Sequence, residues 1–521
     1  MARSQVARTV GTRPLSDEAQ ARVSRPGEGS AGAGSKENGA PAARSAPERD
    51  PTAEGGREDR ARDDRYRRLP TGAHGLAREE VARDQRERLQ RAMTELIAQR
   101  GYQAVRILDL TQLAHVSRPT FYELYSDKEE LLLSAYNDIA ARVATAALEG
   151  FNRKPKDNLD VRLRAGMHSF AELAAAQPEA MSLFLLGAFG AGPKALARRK
   201  ETIRALEQAI QASGSPPPVA SELTVKMILG GVREVAVARL HHGNVSDLDR
   251  IADELITWAL NFRAKMPPGL DAPAPGPRTE ADGALDFTSE RSRRAQGRLP
   301  SGRHDLPREV VANSQRERIL DATAEIVAQK GLAALTIPEI ASRANVSHET
   351  FYEMYKTKMD AFLAAQKVGM QLALGRGVQA WEAQMPDWPR AIDAGLRGVV
   401  GYVTSEPAYA HLTIVDAFGA SPETIATRDE LLRAFATYLE PGYEYAPDGV
   451  EVPAIAAEAV VGGCWQVIHH YIDNDRIDEL RAAQPQLVYL LLAPFLGYKR
   501  AAEVALSSPE LAAAAPAGET A

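Results

Sequence analysis

The sequence predicts an all-α protein built from two tandem units, each a small three-helix head followed by a helical bundle. Three observations carry this. Residues 68, 86 and 121 return in their local context as residues 298, 316 and 351, always 230 positions later, and nearly half of the positions from Arg68 to Tyr136 match their copies without a gap. Apolar residues in both copies recur at helical spacing and are bounded by capping and stop residues. Behind each copy lies a long Ala- and Leu-rich stretch of the same periodicity, punctuated by Pro and Gly. A repeat this long is a duplicated domain, not a solenoid.

Composition sets the outer limits. At 521 residues the chain exceeds one ordinary domain, and 44% hydrophobic content is enough for real cores. A net charge of -6 excludes a polycation that coats nucleic acid, so any basic footprint is local. The one cysteine, Cys464, excludes an internal disulfide and a Cys-based zinc site, and fits a reducing compartment. The start has no apolar signal segment and no apolar run has spanning length, so the expectation is a soluble, cytoplasmic protein with no membrane contact.

In chain order, residues 1–64 are Ala, Gly, Arg, Ser, Glu and Pro with few large apolar side chains, too few to offset ordering entropy, and read as a disordered extension. The first head spans 65–150 and the second 298–380. Their first helices place Leu89, Met93, Leu96 and Ile97, and Ile319, Thr323, Ile326 and Val327, on one face. Gly101 and Gly331 stop them after Arg100 and Lys330, which suit the negative helix end. The second helices carry Ile107, Leu110 and Ala114, and Ile337, Ile340 and Ala344. Copy two opens with a capping box, Thr336-Ile337-Pro338-Glu339. Copy one has Arg106 at the cap, which predicts a weaker start. His115 and Asn345 stand where a left-handed residue closes the helix. The fourth helices open at Asp127 and Thr357, with Glu130 and Asp360 at the third helical position.

The bundles span 151–265 and 381–506. Ala188-Phe189-Gly190 answers Ala417-Phe418-Gly419, and Gly230-Gly231-Val232-Arg233-Glu234-Val235 answers Gly462-Gly463-Cys464-Trp465-Gln466-Val467. The Gly-Gly pairs predict helices that approach closely at a subunit or pseudo-subunit interface. Residues 266–297 form a semi-extended Pro/Gly linker, and 507–521 a flexible tail. The pairs His241-His242 and His469-His470 point about 100° apart on a helix and suit a metal poorly. Trp381, Trp388, Phe418 and Trp465 are core or pocket lining.

Between the second and fourth helices lies the stretch that carries chemistry: Val116-Ser117-Arg118-Pro119-Thr120-Phe121-Tyr122-Glu123-Leu124-Tyr125-Ser126-Asp127-Lys128, and again Val346-Ser347-His348-Glu349-Thr350-Phe351-Tyr352-Glu353-Met354-Tyr355-Lys356-Thr357-Lys358. It reads as a turn, a short helix capped by Ser117 or Ser347, and the start of the next helix. Pro119 is tolerable this early. With Phe121 and Phe351 turned inward, a short helix showing hydroxyls, a phenol and a lysine suits the phosphates and base edges of a major groove.

These motifs, with Arg-Glu-Arg-(Leu/Ile) and Ile-Ala-Gln-Arg-Gly or Val-Ala-Gln-Lys-Gly ahead of them, resemble the TetR family of transcriptional regulators. The likeness is strong over the two heads, about a quarter of the chain. It implies helix-turn-helix heads whose third helix enters the major groove of a double-stranded DNA operator, and bundles that bind a small apolar ligand and dimerise. Carried over, Arg118, Pro119, Thr120 and Tyr122 fall on one recognition helix and His348, Glu349, Thr350 and Tyr352 on the other. Lys128 and Lys358 match a phosphate-contacting lysine, and Thr336 a phosphate-contacting threonine. At that last position copy one departs, with the longer Arg106.

Tyr122 and Tyr352 favour DNA contact over packing, because their hydroxyls need partners. Tyr125 and Tyr355 suit DNA contact and packing against the first helix equally. Lysine at a helix start opposes the dipole, which favours a functional reading of Lys128 and Lys358. Arg118 can fork onto guanine, while Glu349 can accept from cytosine or serve as a plain helix-start carboxylate. The two helices differ where bases are read, which predicts two unlike half-sites. Arginines before each head (Arg65, Arg67, Arg68; Arg291, Arg293, Arg294, Arg298, Arg303) form arms that suit a flanking minor groove or a solvated linker.

The function implied is ligand-relieved repression, by one chain folded as an intramolecular pseudo-dimer or by a homodimer. The alternative is a helical ligand-sensing or scaffold protein in which one or both heads no longer bind DNA. No phosphate loop, metal spacing or repeated nucleophile constellation marks an enzyme, and no cofactor is expected.

Overall fold

The computed structural model describes Tyr66 and residues 77–154, 156–187, 192–213, 221–262, 266–271, 274–288, 307–416, 422–447 and 451–508. The expectations for 1–64, for the arginine arms and for most of the tail lie outside these residues, as does Phe418. Every regular element among the described residues is helical.

In the first unit α1 (Arg78–Ala104), α2 (Ile107–Leu113) and α3 (Arg118–Leu124) form the head. Then come α4 (Lys128–Asn152), α5 (Leu159–Ala176), α6 (Pro178–Ser182), α7 (Pro193–Ser213), α8 (Glu222–His241) and α9 (Asp247–Leu260). The second head is α10 (Arg308–Lys330), α11 (Ile337–Ala344) and α12 (His348–Met354). Behind it run α13 (Lys358–Glu382), α14 (Trp388–Ser405), α15 (Pro407–His411), α16 (Pro422–Thr437), α17 (Ala456–Asp473) and α18 (Leu480–Leu506). A single turn of π-helix follows α6 (Leu183–Gly187) and again α15 (Leu412–Asp416). Helices α4 and α13 run through 150 and 380, so each head shares a helix with its bundle.

The stop and cap signals act where the sequence places them. Gly331 (φ 77°) ends α10, while Gly101 (φ 73°) breaks α1 and one further helical turn follows it to Ala104; both take the positive φ that a side chain resists, and His115 and Asn345 (both φ 52°) close α2 and α11. Asp127 and Thr357 accept from the backbone N–H of Glu130 and Asp360. Leu89, Met93, Leu96 and Ile97 are buried, as are Ile319, Thr323, Ile326 and Val327.

The capping box of copy two is half made. Thr336 Oγ1 accepts from Glu339 N at 3.4 Å, but the Glu339 carboxylate pairs with Lys330 Nζ instead of returning to the cap. Copy one supplies the other half: Asp109 Oδ2 accepts the Arg106 backbone N–H at 3.1 Å. The start of α2 is therefore held by the third residue where the cap residue has no hydroxyl to offer.

The segment between the units docks on the second bundle. Met266 and Leu270 are buried. Arg278 donates its backbone N–H to Asn474 O (2.9 Å) and its Nε to Asp475 O (2.7 Å), and Arg476 pairs with Asp282 at 2.8 Å.

Helices α8 and α17 approach closely, and the approach is reciprocal. A Cβ on Gly230 would meet Gln466 Cβ at 2.4 Å, and one on Gly462 would meet Glu234 Cβ at 2.7 Å. A Cβ on Gly231 would meet Ala459 O at 2.4 Å, and one on Gly463 would meet Met227 O at 2.5 Å. Only glycine lets these backbones come so near. Gly463→Ala is expected to cost about 1–3 kcal/mol by overpacking. Gly375→Ala, on α13 with nothing within 4 Å of the added methyl, is expected to gain roughly 0.5–1 kcal/mol by removing backbone freedom. Denaturant unfolding of the two variants reads both signs.

Candidate nucleic-acid interface and the cavity behind it

The two short helices α3 and α12 are built alike. Ser117 Oγ accepts from Thr120 N at 3.1 Å and meets Thr120 Oγ1 at 2.8 Å; Ser347 and Thr350 repeat this at 3.0 and 2.9 Å. The serine and threonine hydroxyls thus fix the helix start. Phe121 and Phe351 are fully buried and anchor each helix to its head. Pro119 sits at the start of α3, where its ring costs no hydrogen bond.

What is left outward differs between copies. Copy one exposes Arg118, Pro119 and Tyr122, with the Arg118 guanidinium 5.8 Å from the centre of the Tyr122 ring. Copy two exposes His348, Glu349 and Tyr352. Tyr122 and Tyr352 are 48% and 57% exposed, so their phenols are open to a partner. Arg106 and Thr336 are also exposed, at the starts of α2 and α11. The Arg106 guanidinium turns back to Asp109 at 3.3 Å, and this contact holds the Asp109 carboxyl below its usual range.

Tyr125 and Tyr355 pack inward. Tyr125 is 5% exposed, with its ring 6.1 Å from that of Phe121, and burial raises its phenol pKa. Tyr355 is half-buried against Phe351 at 5.9 Å. Packing is the role the geometry gives both.

The structure also gives the two lysines a duty other than phosphate contact. Lys128 Nζ donates to Tyr102 O (3.2 Å) and Val105 O (3.1 Å), lies 4.2 Å from the centre of the Tyr102 ring, and has its pKa lowered by desolvation. Lys358 Nζ donates to Leu335 O at 2.8 Å. Each lysine ties the loop between the first two helices to the start of the fourth. Its place at a helix start, against the dipole, follows from those carbonyls.

A matching pair of arginines was not singled out by the sequence reading. Arg88 Nη1 donates to Ala114 O (2.6 Å) and His115 O (3.3 Å); Arg318 Nη1 donates to Ala344 O (2.9 Å) and Asn345 O (3.1 Å). They cap the C-terminal carbonyls of α2 and α11 and so set the turn before each short helix. Their signal was available, because the Gln-Arg-Glu-Arg segment repeats at 230 positions.

Behind the second head lies an apolar cavity of about 110 Å³, walled by α13, α14, α16 and α17 with Val378, Trp381, Leu396, Val399, Phe435 and Trp465 among its lining. The indole N–H groups of Trp381 and Trp465 find no acceptor among the described residues. The hydroxyls of Tyr402 and Thr413 stand together at Gly369, whose absent side chain makes room for both. Thr413 and Ile414 belong to the π-helical turn after α15. Burial pushes the Cys464 thiol up to about 12, which keeps it from acting as a nucleophile near neutral pH. Trp388 is core, edge-to-face with Phe495 and tilted against Tyr445.

In copy one the position of Trp465 is held by Arg233. Its guanidinium pairs with Glu234 and donates to Leu185 O at 3.3 Å; burial lowers its pKa to about 9. The two bundles therefore differ in kind at this point. The His469 and His470 rings are pushed down to about 3 and about 4 by burial and stay neutral at ordinary pH. No helix among the described residues is long and apolar enough to cross a membrane.

Two segments, residues 91–135 and 319–365, match the family model described as bacterial regulatory proteins, tetR family. Each match runs from the first helix of a head into the fourth. The chain thus carries two TetR-type DNA-binding helix-turn-helix heads in tandem. A solved structure described as a TetR family transcription regulator from Marinobacter aquaeolei VT8 is similar at 21% identity, covering 34% of this chain and 97% of that one with a TM-score of 0.27. No curated protein matches.

The geometry of the lysines makes a specific prediction. Lys358→Met is expected to destabilise the protein by about 1–2 kcal/mol through the lost charged hydrogen bond, while the slope of DNA affinity against salt stays unchanged. A phosphate contact at Lys358 would instead flatten that slope by roughly one unit.

Proposed function

We propose that the protein is a sequence-specific repressor whose single chain pairs its own two units and reads a site with two unlike halves. The observation that carries this is the pair of short helices: equally capped and anchored, yet exposing Arg118, Pro119 and Tyr122 in one head and His348, Glu349 and Tyr352 in the other. Arg118 offers a fork to guanine, and Glu349 an acceptor to cytosine. In this reading the hydroxyls of Ser117, Thr120, Ser347 and Thr350, with Arg106 and Thr336 at the neighbouring helix starts, are the groups that meet phosphates. The α8–α17 crossing joins the two units within one chain, and this favours a pseudo-dimer over a four-headed homodimer.

The ligand is a small apolar molecule held in the second bundle, with acceptor atoms for the indole N–H groups of Trp381 and Trp465. Its message has a physical route. Helix α13 lines the cavity at Ala373, Gly377 and Trp381 and starts at Lys358, tied to the head. The α15 helix carries Tyr409, whose buried hydroxyl donates to Asp321 of α10 at 2.7 Å, and leads straight into the π-turn that lines the cavity. Copy one has Ala180 and Arg91 at the two corresponding positions. The second head is therefore the one the ligand moves. A coupling of about 1–3 kcal/mol changes affinity roughly 5–150-fold, which is enough for a switch.

A second reading has one observation in its favour. Glu349 and Glu353 both stand exposed on α12, and two carboxylates repel phosphates. In that case the second head senses and only the first binds DNA.

Selection of bound duplexes from a random pool by the full chain separates these. Two unlike half-sites are expected; a palindrome would mean that one head does the reading. Trp465→Arg, which gives copy two the residue of copy one, is expected to fill the cavity and leave DNA affinity unchanged while abolishing release by any apolar ligand found. Continued release would place the ligand elsewhere.

A further inference from the structure

We infer that the surface joining the two units is built to accept only its opposite half: polar residues on α8 and α17 are matched across the chain and mismatched against a second copy of themselves. This deepens the pairing proposed above and rests on it.

The argument starts from symmetry. Aligning Gly230-Gly231 with Gly462-Gly463 sets an offset of 232 between α8 and α17. The glycine contacts obey it: Gly230 faces Gln466 and Gly462 faces Glu234, while Gly231 faces Ala459 and Gly463 faces Met227. Each pair is the other with the halves exchanged. The backbone crossing is thus a near-twofold, and by itself it would serve a homodimer of either half as well as the mixed pair.

The polar side chains break that symmetry. Glu234 and Gln466 occupy equivalent positions and meet, with Gln466 Nε2 donating to Glu234 Oε1 at 2.6 Å. Arg428 of α16, itself buried, reaches the other Glu234 oxygen at 2.8 Å. If two first halves met, Glu234 would face a second Glu234: each would keep Arg233 beside it but lose the Gln466 donor, and two carboxylates in direct contact repel. At the edge of the same crossing Arg239 makes two parallel bonds to Glu458, both 2.8 Å. The equivalent positions are Tyr471 for Arg239 and Lys226 for Glu458. Two first halves would therefore set Arg239 against Lys226, softened by Glu207 and Glu222, which already pair with Lys226 at 2.6 and 3.8 Å. Two second halves would set Tyr471 against Glu458 and leave Arg428 facing a neutral glutamine. Only the mixed pair sets Glu234 against a neutral donor and Arg239 against a carboxylate, and a repulsive element against the wrong partner is how such specificity is made. The partner this surface fits is the other half of the same chain.

The test reproduces the wrong pairings inside the full chain. Gln466→Glu with Glu458→Lys gives the second half the contact residues of the first. The thermal midpoint is expected to fall by about 5–10 °C. Exchanging the pair, Glu234→Gln with Gln466→Glu, is expected to recover most of the loss caused by Gln466→Glu alone. Arg199 occupies in the first half the position of Arg428 and can serve the moved carboxylate. Where Gln466→Glu fails to fold, the edge pair gives the same reading: Glu458→Arg is expected to destabilise, and Arg239→Glu with Glu458→Arg to restore. The unaltered chain is expected to sediment at one-chain mass at every soluble concentration. Chain dimers without DNA, an unchanged midpoint in Gln466→Glu/Glu458→Lys, or no recovery in either exchange would overturn the inference. None of these readouts involves DNA, so a failure of DNA selection leaves it standing.

Discussion

The crossing of α8 over α17 is the constraint on which the rest depends. Two glycines on each helix bring backbone to within a side chain's width of backbone, and every substitution at those positions would push carbonyl oxygens or core side chains apart. Burial at such a contact is non-directional and would hold two identical halves as readily as two different ones. Direction comes from a few charged groups laid over it: Glu234, Gln466, Arg428, Arg239 and Glu458. Packing fixes that the halves meet, and electrostatics fixes which halves.

Duplication followed by divergence explains the rest of the architecture. The heads have kept what positions the short helix: the serine cap, the buried phenylalanine, the arginine of the first helix that holds the preceding turn and the lysine that begins the fourth helix. They have changed what that helix shows. The bundles have kept the glycine crossing and the π-turn and changed what fills the space beside them. Where one copy places Arg233, the other places Trp465 and a cavity. A chain that holds one conserved frame twice can give one copy the task of sensing without harming the frame of the other. Tyr409 and Asp321 give the second head a buried tie to its bundle, where copy one has Ala180 and Arg91.

Much of this was legible in the sequence because it is local. Helix periods, Gly101 and Gly331 as stops, His115 and Asn345 as left-handed closers and the serine caps all follow from the preferences of single residues or near neighbours. The Gly-Gly pairs announced a close approach without naming its partner. What was not legible is what depends on distant partners. Lys128 and Lys358 looked free because the carbonyls they bind lie more than twenty positions away in the chain. Glu339 was assigned to its own helix cap because the competing Lys330 belongs to the preceding helix. Arg88 and Arg318 were visible as a repeat but not as caps, since a repeated arginine carries no sign of the carbonyl it serves. The cavity has no local signature at all, being the space left between four helices.

The central claim is that one chain is one complete, asymmetric reading unit. The most direct test is the number of chains on a single selected duplex, measured as the mass of the complex by native mass spectrometry or sedimentation. One chain per duplex, with both half-sites protected from cleavage at the same time, is the predicted result. Two chains on a symmetric duplex, each protecting one half-site, would contradict the account and return the protein to the ordinary twofold scheme of helix-turn-helix dimers.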